Sequence, residues 1–350
     1  MRLSASPGYW GSIANSVQEL AFAVECERLG FDGIWVGEPY GHDAASVLSW
    51  YAGATTRLRL GSGVLAMPGR TPAMTAQVAA TIDTLSEGRL LLGLGLSGPQ
   101  VSEGWHGVRF DKPLQRTRDY VEVVRMALRH EQVRYEGETL QLPLPDGPGK
   151  ALKLILAPRR PDVPIYLAAL GPQNVRLCGE IADGWLPWLW SPEHAHLQAA
   201  QLADGAARAG RDVADLDVAP NVFVRIEDDE AAARDAVRDV VALYVGGMGS
   251  REQNFYHRLV ASYGFEAAAK EVQDLYLDGH KGEAAAALPD ALLDAVCLVG
   301  SPARVADRLQ AYAASGATTC IGLPWATSAE DRLSQLRLLA EAGERSGMIA

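Results

Sequence analysis

Basic residues are in deficit: 32 Lys and Arg stand against 43 Asp and Glu, for a net charge of −11. Without a basic stripe the chain lacks what a nucleic-acid backbone partner requires. Cysteine is scarce, and Cys26, Cys178, Cys297 and Cys320 form neither a Cys-x-x-Cys pair nor a secreted-type framework. Reduced thiols and a cytoplasmic setting are therefore expected. No run of about 18 apolar residues occurs, and the opening segment MRLSASPGYW lacks the charged-then-apolar pattern of a secretory signal, so neither membrane insertion nor export by that route is expected. With 48% hydrophobic and 21% charged residues, the chain has the composition of an ordinary globular protein with a sizeable core.

Short apolar runs alternate with helical periodicity, the rhythm of a parallel α/β sheet. Eight strands are expected near 2–6, 33–37, 58–64, 89–96, 164–169, 184–188, 217–226 and 318–324, which points to a (β/α)8 TIM barrel. Between them, Val17, Leu20, Ala21 and Val24 form one helical stripe, and Val305, Leu309 and Tyr312 another, each expected to pack on the barrel. Two intervals exceed one α/β unit, about 97–163 after strand four and about 247–316 after strand seven, and are read as insertions. The first should hold a helix near 114–129 and then the surface loop PLPDGPGK. With no linker or tandem repeat, residues 1–350 are read as one domain.

Gly93-x-Gly95-x-x-Gly98 matches the dinucleotide-binding fingerprint and follows a strand. That fingerprint normally opens the first βα unit and enters a helix at once, whereas three units precede it here and Pro99 intervenes. The better reading is an anion-binding loop at a barrel strand end, with Ser97, Gly98, Gln100 and Val101 offering amides while Gly93 and Gly95 relieve packing inside the barrel. A second such loop is LAALGPQN, where Leu170, Gly171, Pro172, Gln173 and Asn174 start a helix with unbonded N–H groups; ordinary helix initiation is the competing reading. His194-x-His196 invites a metal assignment, but positions i and i+2 do not share a helical face, and no metal is expected. After strand two, Glu38-Pro39-Tyr40-Gly41-His42-Asp43 is the densest acid/base cluster, with helix capping by Asp43 and structural hydrogen bonding by Glu38 as alternatives. Trp10, Trp188, Trp190 and Trp325 fall at or beyond strand ends and are candidates for an apolar cleft suited to a bulky or planar small molecule, whereas Trp50 and Trp185 read as core.

Gly63-Val64-Leu65-Ala66-Met67 with Thr71-Pro72-Ala73, then Asp83-x-x-Ser86-x-Gly88-Arg89, SGPQVSEGWHG, LAALGPQN and IADGWLP occur in an order that resembles the luciferase-like monooxygenase superfamily over nearly the whole chain. The similarity is greater to its deazaflavin branch, oxidoreductases of actinobacterial type that use coenzyme F420. The resemblance implies a non-prolyl cis peptide at Gly63–Val64, ring contacts from Gly63, Val64 and Ala66 with Glu38 near the ring's polar edge, and a phosphate tail held by 97–101 and 170–174. It also implies a homodimer. Related sugar-phosphate dehydrogenases place a histidine after strand two, where this chain has Pro39, so Glu38, Tyr40, His42 and Glu103 stand as candidate acid/base residues.

The expected function is hydride transfer between F420 and an organic carbonyl or alcohol, imine or activated alkene. The rivals are an FMN-dependent two-component monooxygenase, a metal-dependent barrel hydrolase and a non-catalytic cofactor-binding barrel.

Overall fold

A computed structural model describes residues 1–9 and 16–349. The eight barrel strands are β1 (Arg2–Ala5), β2 (Gly33–Val36), β3 (Arg59–Ser62), β4 (Leu90–Gly95), β5 (Ile165–Leu167), β6 (Gly184–Trp185), β7 (Asp217–Val218 and Asn221–Ile226) and β8 (Thr319–Pro324). All their pairings are parallel, and each of β1 to β5 pairs with the next strand in the chain. Closure occurs through β7. Its first half pairs with β6, as in Asp217↔Gly184, and its second half with β8, as in Asn221↔Ile321. The break lies at Ala219–Pro220, where proline has no N–H to offer a ladder. β8 then pairs with β1, from Arg2↔Thr319 to Ala5↔Gly322.

The outer helices are α1 (Ser16–Arg28), α2 (Ala44–Ala54), α3 (Pro72–Leu85), α4 (Pro113–Leu128), α5 (Pro172–Ile181), α6 (His196–Arg208), α7 (Glu230–Ala242), α8 (Pro302–Ala314) and α9 (Ala329–Arg345). The interval after β4 adds the short helix Pro99–Gly104 and a hairpin of Tyr135–Glu136 with Gln141–Leu142. Between α7 and α8 lie further helices, including Phe255–Val260 and Glu266–Leu277, and a strand, Leu298–Gly300, that adds to the far half of β7. That three-residue strand was not expected from its sequence.

The expected stripe on α8 is buried at Val305, Leu309 and Tyr312. The expected stripe on α1 is not: Val17 is 75% and Val24 46% exposed, while Phe22, Ala23 and Cys26 face the barrel. The inward face also carries a buried carboxylate, Glu19, which Arg332 of α9 neutralises at 2.6 Å. An ion pair across elements lets a charge occupy the face that hydropathy assigned to solvent.

Trp35, Leu91, Tyr166, Leu186, Ala219 and Ile321 fill the barrel interior. Trp35 and Tyr166 meet edge to face with centroids 5.0 Å apart. Val64 and Ala168 cover this plug, so the barrel is packed and any ligand must sit on top of it.

Candidate active site

The Gly-x-Gly pair of β4 is a packing device. A Cβ on Gly93 would stand 1.9 Å from the Ser62 carbonyl oxygen, and the Gly93 N–H donates to Ser62 Oγ at 2.8 Å. A Cβ on Gly95 would fall 2.7 Å from the Val64 side chain. The two missing side chains let β3 lie close against β4 and seat Val64 over the plug.

Just beyond β3 the Gly63–Val64 peptide is cis. Its Gly63 N–H donates to the Val36 carbonyl at 2.8 Å, and the chain then rejoins β4 through Leu65↔Leu94 and Ala66↔Gly95. The result is a bulge facing the barrel mouth, framed by β2 on one side and β4 on the other.

Glu38 fixes this bulge from the side. Oε2 accepts from the Ala66 N–H at 3.0 Å, and Oε1 accepts from the Ala44 N–H at 3.2 Å. Arg70 completes the clamp by donating to both Glu38 oxygens, through Nη2 at 2.6 Å and through Nη1, and it also donates to Asp43. Burial alone would lower the Arg70 pKa, but the Glu38 and Asp43 carboxylates outweigh it and hold the guanidinium above its ordinary value. Asp43 caps α2 by accepting from the Ser46 N–H at 2.7 Å. Both acids are thus committed to structure, and Glu38 has no free oxygen with which to work as a base. Arg70, 32 residues away in sequence, carried no signal that linked it to Glu38.

The other acid/base candidates are dispersed. Tyr40 is 63% exposed and tilts against Trp105 at 6.4 Å between centroids. His42 is half-buried near Glu19, Glu38 and Asp43; burial lowers its pKa against their attraction, which leaves a neutral imidazole at pH 7. Glu103 is exposed and accepts from the Phe110 N–H at 3.0 Å, tying down its own loop.

Next along the mouth come the two loops. Ser97 has φ +60°, and Gly98 starts the short helix with no side-chain cap. Gln100 lies in that helix's first turn, where the first amide to reach a carbonyl is Val101, on Gly98. At the other loop, Gly171 precedes Pro172 at the start of α5, also without a side-chain cap. The first α5 amide bonded to a carbonyl is Val175, on Gly171 at 2.9 Å, so the Gln173 and Asn174 N–H groups are left over. Gln198 donates to the Leu170 carbonyl at 3.3 Å, and Asn174 reaches the Ala168 carbonyl at 3.5 Å, which secures the approach. Bulge and loops follow the consecutive strands β3, β4 and β5.

Facing them from β6, β7, β8 and the helical insertion is an aromatic wall. Trp188 packs on Phe223 at 5.4 Å and on Tyr244 at 5.1 Å, Phe223 on Trp325 at 5.3 Å, and Tyr244 on Tyr256 at 4.9 Å. Two of the expected tryptophans, Trp188 and Trp325, are therefore here. Trp190 is not: it is 2% exposed, packs edge to face on Trp185 at 5.1 Å and donates to Ser315, so it belongs to the core. The chain turns back after Leu189, whose φ is +50°. Trp10 lies outside the described residues. Tyr9, Phe223, Tyr244 and Tyr256 had no signal in sequence, since separated segments bring them together.

His194 is occupied by Ser191 at 2.9 Å and stacks on Tyr263 at 4.8 Å. Among the described residues no group of three or more His, Cys, Asp or Glu could hold a metal ion, and no helix is long and apolar enough to cross a membrane.

The sequence profile of the luciferase-like monooxygenase family matches residues 5–319. A Mycobacterium tuberculosis protein whose name proposes a coenzyme F420-dependent oxidoreductase is 42% identical over 92% of this chain and 94% of its own. The 5,10-methylenetetrahydromethanopterin reductase of Methanolobus tindarius is 31% identical over 80% of this chain and 82% of its own. Among solved structures, the coenzyme F420-dependent tetrahydromethanopterin reductase of Methanopyrus kandleri superposes with a TM-score of 0.80 at 24% identity, over 97% of this chain and 98% of that one.

Proposed function

Because the chain belongs to the luciferase-like monooxygenase family, we propose that it is an F420-dependent oxidoreductase that moves a hydride between the deazaflavin and an organic substrate with a carbonyl, imine or activated alkene. The observation that carries this reading is a bed for a flat ring continuous with two amide-rich loops. Gly63, Val64 and Ala66 form the bed, held by Glu38 and Arg70. Ser97, Gly98, Gln100 and Val101, with Leu170, Gly171, Pro172, Gln173 and Asn174, would hold the phosphate tail, a reading supported by two helix starts without side-chain caps after β4 and β5. The amides fit an anion because they point out of uncapped helix starts.

When bound, the deazaflavin supplies the hydride chemistry. The protein supplies position and dryness: the plug under Val64 closes the barrel from below and the aromatic wall restricts water from the side. Glu38 acts as a positioning residue through Ala66. FMN is the second reading, since the bed and phosphate loops would also suit the reduced flavin of a two-component monooxygenase. Binding titrations with F420 and with FMN under one buffer separate them: micromolar affinity for F420 is expected, and tight binding of FMN alone would overturn the assignment. Anaerobic turnover of reduced F420 with a carbonyl panel then distinguishes hydride transfer from oxygen insertion.

A further inference from the structure

The aromatic wall carries one polar device. Tyr9, just past β1, and Tyr244, in the insertion after α7, place their hydroxyl oxygens 3.0 Å apart. Tyr9 also stands beside the ring bed: a Cβ on Gly37 would lie 3.1 Å from the Tyr9 ring and 3.3 Å from the Gly63 carbonyl oxygen. Two hydroxyls sharing one hydrogen bond leave one O–H hydrogen over, and it meets no further acceptor among the described residues. Close by, the Trp188 indole N–H is buried without an acceptor in the same set, and its ring lies 5.1 Å from that of Tyr244. The wall thus has donors to spare, and the arginines bordering it are already paired with carboxylates, Arg225 with Asp331 and Arg332 with Glu19.

Building on the hydride-transfer reading, we propose that Tyr9 is the proton-donating catalytic residue, with Tyr244 as its positioning partner, and that the substrate is an uncharged planar carbonyl compound lying against the aromatic wall. The donor chemistry selects the class. A carbonyl oxygen accepts the spare O–H, an apolar ring system matches Trp188, Phe223 and Trp325, and a charged carboxylate or phosphate would have to compete with Asp331 and Glu19 for the bordering arginines.

In the reaction the carbonyl carbon accepts a hydride, one proton with two electrons, from a reduced deazaflavin in its deprotonated, anionic form. The C=O π pair moves to oxygen, which takes the Tyr9 proton and becomes the alcohol hydroxyl, leaving oxidised deazaflavin. Tyr244 donates to the resulting Tyr9 phenolate. Water then returns a proton to Tyr9, which is 44% exposed. Both phenols begin the cycle protonated, Tyr244 held so by burial, while a phenol remains a stronger acid than the alcohol formed.

The test uses the full chain without cofactor. Quenching of tryptophan fluorescence by 1-indanone, and by indane as the same shape without oxygen, reports binding alone. Wild type should bind the ketone more tightly than indane. Tyr9→Phe should weaken the ketone roughly three- to ten-fold, the worth of one hydrogen bond, and leave indane unchanged. Tyr244→Phe should weaken the ketone less and, with F420 loaded, shift the alkaline limb of the turnover profile, which a merely structural role would not move. Equal ketone affinity in wild type and Tyr9→Phe, or no ketone binding by wild type, overturns the proposal. An F420 titration of the same samples keeps the two readings apart: failure there with Tyr9-dependent ketone binding intact removes the cofactor assignment alone.

Discussion

The two ends of the barrel treat polar groups in opposite ways. At the N-terminal end Asp83 is fully buried and Arg160 donates to it at 2.5 Å, while Arg89 spreads its N–H groups over the carbonyls of Ala52, Thr55, Leu58 and Ser86 and the Thr55 hydroxyl. Asp217 accepts from Tyr166 at 2.8 Å and from Thr319 at 2.9 Å and pairs with Arg2 at 2.6 Å. At the C-terminal end the Gln173 and Asn174 amides and one hydroxyl hydrogen of the Tyr9–Tyr244 pair lack partners among the described residues. Closed networks hold a fold together, whereas open donors at a concave face await a ligand. The Asp83-x-x-Ser86-x-Gly88-Arg89 motif therefore belongs to architecture and not to chemistry.

Substitutions should separate the ends. The largest effect is expected at the closed end: Asp83→Ala strands Arg160 and should cost about 3 kcal/mol in urea unfolding, with F420 affinity unchanged in the fraction that stays folded. A loss of affinity without loss of stability there would break the comparison. At the open end, Gln173→Glu places a negative charge beside the unbonded amides. It should lower F420 affinity roughly ten-fold, while thermal unfolding shows a helix stabilised by ~0.5 kcal/mol. Opposite signs in one variant would be hard to obtain from a purely structural loop. Glu38→Gln sits between the two cases, since it removes the charge opposite Arg70 and keeps an acceptor for only one of the Ala66 and Ala44 N–H groups; about 2 kcal/mol of stability and a few-fold in F420 affinity should be lost together.

The smallest effect concerns Glu193, whose pKa is lowered to about 2 chiefly by its hydrogen bond from Arg308. A depressed carboxylate pKa contributes stability above the ordinary value of 4.5 that is lost as pH falls towards 2. Because the Glu193 side chain is 51% exposed, Glu193→Gln should flatten the acid limb of the unfolding profile by less than about 1 kcal/mol.

Much of the barrel was legible because its strands are short apolar runs punctuated by glycine and proline, and each falls within a few residues of its expected place. The loops at 97–101 and 170–174 were legible for a related reason, that Gly98-Pro99 and Gly171-Pro172 mark helix starts locally. What escaped depends on distant partners. The buried face of α1 departs from its hydropathy because Arg332 makes a buried Glu19 tolerable, and Trp190 leaves the cleft because a turn at Leu189 carries it back onto Trp185. Glu38 reads as an acid/base candidate in sequence because its partner Arg70 is 32 residues away, and Tyr9 is silent because Tyr244 is 235 residues away.

The claim that open amides at the barrel mouth hold a phosphate is tested most directly by titrating the wild-type chain with F420 and with the corresponding phosphate-free deazaflavin nucleoside. The account predicts that the phosphate-bearing cofactor binds at least about ten-fold more tightly and that added salt narrows the gap. Equal affinities for the two would contradict it.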